Sequence, residues 1–118
     1  MKYPYKLVVV VDSNIKIPKG KLAREVAGAV THVIMYHWSY FKVGSLVLWY
    51  KAGMKTVVLK TDNMDKFITD LNLYKIKHFP MVDAGDTVFD GVPTRTCVGL
   101  TIFKEEDTPD IVKELKLL

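Results

Sequence analysis

Hydrophobic residues run unbroken through "KLVVVV", from Leu7 to Val11 behind Tyr5, and stop at Asp12, Ser13 and Asn14. A β-branched run without polar alternation predicts a strand covered on both faces, and therefore helices on either side of a sheet. Past Pro18 and Gly20 the period changes. From Lys21 onward, Leu22, Val26, Ala29, Val30, Val33 and Ile34 recur at helical spacing. A second, shorter helical pattern covers Val43 to Ala52, and Gly53 closes it. "TVVLK", Thr56 to Lys60, reads as a strand, and Asp62 or Asn63 caps a helix that reaches Leu73.

"HFPMVDAG" predicts a third strand ending at Asp83, and "TRTCVGLTIF", Thr94 to Phe103, a fourth. The Gly- and Asp-rich loop between them makes the pair a hairpin with an enlarged tip. A last helix from Thr108 to Leu115 leads into the apolar end "LKLL". Two βαβ crossovers and a hairpin predict an α/β fold, a three-layer α/β/α sandwich around a small mixed sheet of about four strands. Trp38, Tyr40, Phe41, Trp49 and Tyr50 interleave with apolar residues and are assigned to core packing rather than base stacking.

With 118 residues, 49% of them hydrophobic and 25% charged, the chain has the size and composition of one domain spanning residues 1–118. The N-terminal apolar run is too short for a secretory signal, and no segment is long enough to cross a bilayer. Cys97 is the only cysteine, so an internal disulfide is excluded and a reducing, cytoplasmic setting is expected. Net charge is +4, but its distribution says more than its total. Lys2, Lys6, Lys16, Lys19, Lys21 and Arg24 face only Asp12 early in the chain, while Glu105, Glu106, Asp107, Asp110 and Glu114 gather near the end. A basic N-terminal face of this kind is either a solvated lysine surface or an attractor of phosphate-rich partners.

In an open α/β sheet, ligands gather at the carboxyl ends of the strands, which here carry the loop after Val11, the start of the first helix, and Asp83. Lys16, Lys19 and Lys21 surround a helix N-terminus, where backbone N–H groups, helix dipole and ammonium charge can act together on an anion. The spacing is not that of a P-loop. Asp83 ends an apolar strand and precedes the small-residue turn "AG", so it is either an acid–base residue that orients a water or an Asx-turn residue that only shapes the loop. Thr87, Thr94 and Thr96 offer hydroxyls around the same loop. His32, His37 and His78 lack metal-ligand spacing, no nucleophile elbow is present, and Cys97 is read as a small apolar strand residue.

"GKLA" after "VVVVDSNIKIPK", Trp49 and Gly53 before "VVLK", the "DAGDT" turn, the T-x-T strand and the terminal "LKLL" occur in an order that resembles the archaeal and eukaryotic type of peptidyl-tRNA hydrolase, nearly end to end. The resemblance implies a compact α/β enzyme, often a homodimer, that cleaves the ester joining a peptide to the terminal adenosine of tRNA without metal or other cofactor. It places the catalytic roles on Lys21, Asp83, Thr87, Thr94 and Thr96, while Lys16, Lys19 and Arg24 would grip the tRNA backbone, with Glu25 as a further substrate-binding position. The chain also departs from the family pattern. Arg24 stands for Ala, Glu25 for Gln, Gly28 for His, Met54 for Gln and Val88 for Gln, and "TIFKEED" replaces the usual Gly-Pro. A carboxylate that only accepts thus stands where an amide both donates and accepts. Two readings remain open: a hydrolase, with His32 covering part of the missing histidine's role, or a divergent relative that binds tRNA or another anion without cleaving it or acts on a different acyl ester.

Overall fold

The computed structural model of the chain describes residues 4–85 and 91–118. The apolar run forms β1 (Tyr5–Asp12), and α1 (Lys19–Ser39) and α2 (Val43–Lys51) follow before β2 (Thr56–Thr61). Next come α3 (Met64–Leu73), β3 (His78–Asp83), β4 (Thr94–Leu100), β5 (Phe103–Lys104), a 3₁₀ turn at Glu105–Asp107, α4 (Asp110–Lys113) and β6 (Lys116–Leu117).

Strand β1 lies between β2, which is parallel to it, and β4, which is antiparallel. The order is β3-β4-β1-β2-β6, with β3 antiparallel to β4 and therefore parallel to β1. Successive residues of β1 feed opposite faces. Leu7, Val9 and Val11 pack with Ala29, Val33 and Trp49 of α1 and α2, whereas Val8 and Val10 meet Phe67, Leu71 and Val112 of α3 and α4. Full burial of a Val or Leu side chain is worth roughly 1.5–3 kcal/mol, so this one strand anchors both layers.

The sheet has six strands among the described residues, not about four. The predicted fourth strand breaks after Leu100, because the Ile102 N–H leaves the ladder to donate to His37 Nε2 at 2.9 Å. Beyond that point Phe103 and Lys104 pair with Lys6 and Tyr5 as β5. The terminal "LKLL" adds β6 to the far edge of β2. The last helix is shorter than its pattern, Asp110–Lys113, and starts behind Pro109. Of the aromatic residues assigned to the core, Trp49 is buried and its indole N–H donates to the Lys55 carbonyl, whereas Trp38, Tyr40, Phe41 and Tyr50 are exposed. The fold also brings the two charge blocks together, with Lys6 and Lys55 both pairing with Glu105.

Candidate active site

Helix α1 begins at Pro18 with no side-chain cap and no acidic residue in its first turn. The first-turn amides of Lys19 and Gly20 have no intrahelical acceptor, which leaves the positive end of the helix directed outward. Lys21, Arg24 and Glu25 follow at i, i+3 and i+4, on one face, opposite the carboxyl end of β3. The buried stripe of α1 is Glu25, Ala29, Val33 and His37, so a carboxyl group opens a stripe that is otherwise core.

Asp83 is the centre of the cluster. Its side chain is 2% exposed, with Lys21 Nζ 2.6 Å and Arg24 Nη2 3.4 Å from the same oxygen, Oδ2. The other oxygen, Oδ1, accepts the Gly85 N–H at 2.7 Å. The Asx-type turn and the charged partnership thus coexist, one on each oxygen. The Lys21 ammonium, then the Gly85 amide, hold the Asp83 carboxyl down to about 2. Gly85 cannot be replaced without strain, because its φ is +86° and a Cβ there would stand 2.6 Å from the Val92 nitrogen.

Glu25 is 4% exposed and also hydrogen-bonds to Asp83. Burial first, and then Asp83 as hydrogen-bond partner and neighbouring charge, push its pKa up. Of the two carboxyls, Glu25 is the one pushed toward its protonated form, while Asp83 is held as the carboxylate. Glu25 Oε1 is buried without a hydrogen-bond partner among the described residues. Lys21 and Arg24 both form ion pairs with Asp83.

Thr94 lies opposite Asp83 in the β3–β4 register, with its hydroxyl donating to the Val92 carbonyl at 2.9 Å. A bulge between Met81 and Val82 makes Thr96 the extra residue on β4. Thr96 is buried, and its hydroxyl faces the Met81 carbonyl at 3.4 Å. No hydrogen bond joins either threonine to Asp83 among the described residues. Thr87 and Val88 lie outside the described residues. Lys16 and Lys19 are exposed on the rim.

Where the family pattern has His, Met81 covers Gly28, and a Cβ there would meet the methionine Cε at 2.6 Å. His32 is exposed and makes no hydrogen bond or ion pair with another described residue. The Cys97 thiol is fully buried, points to the Glu25 carbonyl at 3.7 Å, and is pushed up to about 11 by burial, which suits a packing residue and not a nucleophile. Among the described residues no three His, Cys, Asp or Glu side chains stand together as a metal site needs. The Gly85 amide on Asp83 is the Asx-turn bond that the sequence offered, as a first part of the site, and the Glu25–Asp83 contact, the second, was not legible there. The i+4 offset from Lys21 was the one signal for the second.

These features define an α/β protein with a solvent-excluded carboxyl pair, rimmed by cations, at the carboxyl edge of its sheet. The chain belongs to the family described as peptidyl-tRNA hydrolase PTH2, whose model matches residues 5–118. It is similar to a peptidyl-tRNA hydrolase of Saccharolobus solfataricus, 32% identical over 96% of this chain and 98% of the relative. A peptidyl-tRNA hydrolase of Saccharolobus islandicus is 33% identical over 96% and 98% of the two chains. One from Sulfolobus acidocaldarius is 29% identical over 96% and 99%.

Proposed function

We propose that this chain hydrolyses the ester between a peptide and the terminal ribose of tRNA, with Asp83, Lys21 and the threonines as its catalytic group. The observation that carries the reading is the Lys21–Asp83 pair, held dry beside an open helix N-terminus. A water oxygen attacks the ester carbonyl carbon, the carbon–ribose oxygen bond breaks, and the water's proton ends on the leaving ribose oxygen. The products are the peptide acid and tRNA with a free terminal hydroxyl. An aspartate held near 2 is a weak base at neutral pH, so Asp83 acts chiefly by orienting the water and stabilising the positive charge that develops on it. Lys21 faces the carbonyl oxygen and stabilises the oxyanion.

Thr94, at the mouth of the hairpin, and Thr87 hold the water and the substrate, and Thr96 fixes the strand beneath them. Lys16, Lys19 and Arg24 bind phosphates of the tRNA, an interaction that weakens as salt rises. Glu25, pushed toward its protonated form beside Asp83, stands where the family has an amide. The reaction asks for no metal or cofactor, and the setting is the cytoplasm. The exposed Val47, Leu48 and Tyr50 along α2 are compatible with a homodimer.

The test is release of free tRNA from an N-blocked aminoacyl-tRNA in the presence of chelator, for the wild type beside Asp83→Ala and Lys21→Ala. Cleavage that survives chelation and is lost in both variants supports the reading. Folded wild-type protein that binds tRNA but leaves the ester intact overturns it in favour of a binding protein.

A further inference from the structure

A second basic site lies at the opposite end of α1. A cavity of about 380 Å³ is lined there by Lys42, Lys75 and Lys77 together with Tyr36, Ser45 and Thr101. None of the three lysines pairs with a carboxylate among the described residues. Lys42 and Lys77 both stand over the Tyr36 ring, at 5.7 and 5.8 Å, and Lys77 also stands over Phe79. The rings thus hold ammonium groups in place without neutralising them.

The backbone around the cavity is arranged at some expense. Helices α1, α2 and α3 all end in the same double hydrogen-bonded motif, in which the residue after the cap takes a left-handed conformation. In α2 that residue is Gly53, the usual choice. In α3 it is Lys75 (φ +56°), and in α1 it is Phe41 (φ +56°), side chains that disfavour this region. Lys75 lines the cavity, and Phe41, 90% exposed and next to Lys42 in the chain, lines a separate groove with Trp38, 66% exposed. His37 fixes the Lys42 loop from below. Its Nε2 accepts the Ile102 N–H, so its Nδ1 carries the proton and donates to the Lys42 carbonyl at 2.9 Å.

We propose that this cavity is a phosphate-binding site that grips the RNA backbone of the tRNA whose ester lies at Asp83. The assignment rests on the hydrolase reading above. Unneutralised lysines with the hydroxyls of Ser45 and Thr101 suit a phosphodiester, and exposed Phe41 and Trp38 offer faces on which an unstacked base can lie, which favours RNA over a free inorganic anion. The position fits as well. Strand β3 runs from beside Lys77 to Asp83, a separation of roughly 20 Å at the usual rise per residue. The two basic sites then hold one RNA at two points along α1.

The experiment is equilibrium binding of tRNA across a salt series, by fluorescence anisotropy, for the wild type, Lys75→Gly, and the triple variant Lys42→Ala, Lys75→Ala, Lys77→Ala. The triple variant should bind at least tenfold more weakly, and its log–log salt slope should fall by about two to three. Lys75→Gly removes one charge and relaxes a left-handed residue. It should therefore melt at or above the wild-type temperature while binding severalfold more weakly, a combination that a merely structural lysine would not give. Wild-type affinity and slope in both variants would overturn the proposal while leaving the hydrolase reading intact. A change in oligomeric state with tRNA binding unchanged would also overturn it and assign the face to a second copy. A wild type that neither binds tRNA nor cleaves the ester defeats both readings.

Discussion

Lys21 Nζ and Asp83 Oδ2 lie 2.6 Å apart, bridging the first turn of α1 and the last residue of β3, and both side chains are largely withdrawn from solvent. In the proposed reaction the substrate carbonyl would share Lys21 with a partner it already holds. Removing either member should therefore damage the chemical step as well as binding. For Asp83→Asn and Lys21→Ala, kcat/KM for tRNA release should fall by about 10²- to 10⁴-fold, the usual range for a positioned acid–base group. Lys21→Arg, which keeps the charge pair but not the point geometry, should retain the fold and lose much of the rate. A Lys21→Ala enzyme within threefold of wild type would remove Lys21 from the catalytic group.

Glu25 and Asp83 are shifted in opposite directions, so their pH effects have opposite signs. Asp83 is depressed from 3.8 to about 2, so the stability it lends is present above its unfolded value and is lost as pH falls through that window. Glu25 is raised from 4.5, so its contribution is present below that value and is lost as pH climbs through the raised one. Above that point the fold carries a buried second carboxylate. Glu25→Gln should therefore raise the melting temperature near pH 8 by several degrees, with a much smaller gain near pH 4. It should also tighten tRNA binding at pH 8, by removing a negative charge that faces an anionic ligand. Equal melting shifts at both pH values would mean that Glu25 is charged throughout.

The parts of this molecule that were legible in the sequence are those that depend on local period. The unbroken run of β1, the 3.6-residue stripe of α1 and the Asn63 cap of α3, which accepts from Lys66 N, all appear where the pattern puts them. Lys21 and Asp83 were placed at one edge by topology alone, and they meet there. Tertiary competition was not legible. Ile102 has a strand residue's sequence but gives its amide to His37, which cuts the predicted fourth strand in two. Phe41 and Tyr50 look like core residues because aromatic content does not encode which helix face is covered. Left-handed Lys75 and Phe41 were invisible for a related reason, since a helix C-terminus is read from glycine and neither is one.

Gly85 ties the turn to the site. Its φ of +86° and the approach of the Val92 nitrogen leave no room for a Cβ, while its N–H holds Asp83 Oδ1. Gly85→Ala should cost about 1–3 kcal/mol of stability through backbone strain. Activity should fall further than folding does, because the displaced amide no longer orients the carboxylate. At a temperature where the variant remains fully folded by circular dichroism, kcat should still be reduced tenfold or more. Wild-type kcat under those conditions would show that the amide shapes the loop and nothing else.

His37 closes the buried stripe that Glu25 opens, and its environment keeps it neutral. Burial lowers its pKa below the ordinary 6.5, and Nε2 is already committed as the acceptor of the Ile102 N–H. A depressed pKa means that the unfolded chain binds the proton more readily. The stability due to neutral His37 is therefore complete above about 6.5 and declines as pH drops below it. Urea unfolding of the wild type at pH 7.5 and 5.5 should show a loss on acidification that His37→Gln lacks. The variant should start lower at pH 7.5, by about 1–3 kcal/mol, because the glutamine cannot reach both the Ile102 amide and the Lys42 carbonyl. An identical pH dependence in the two proteins would place the titrating group elsewhere, and the His37 link between β4, β5 and the Lys42 loop would then be one of packing alone.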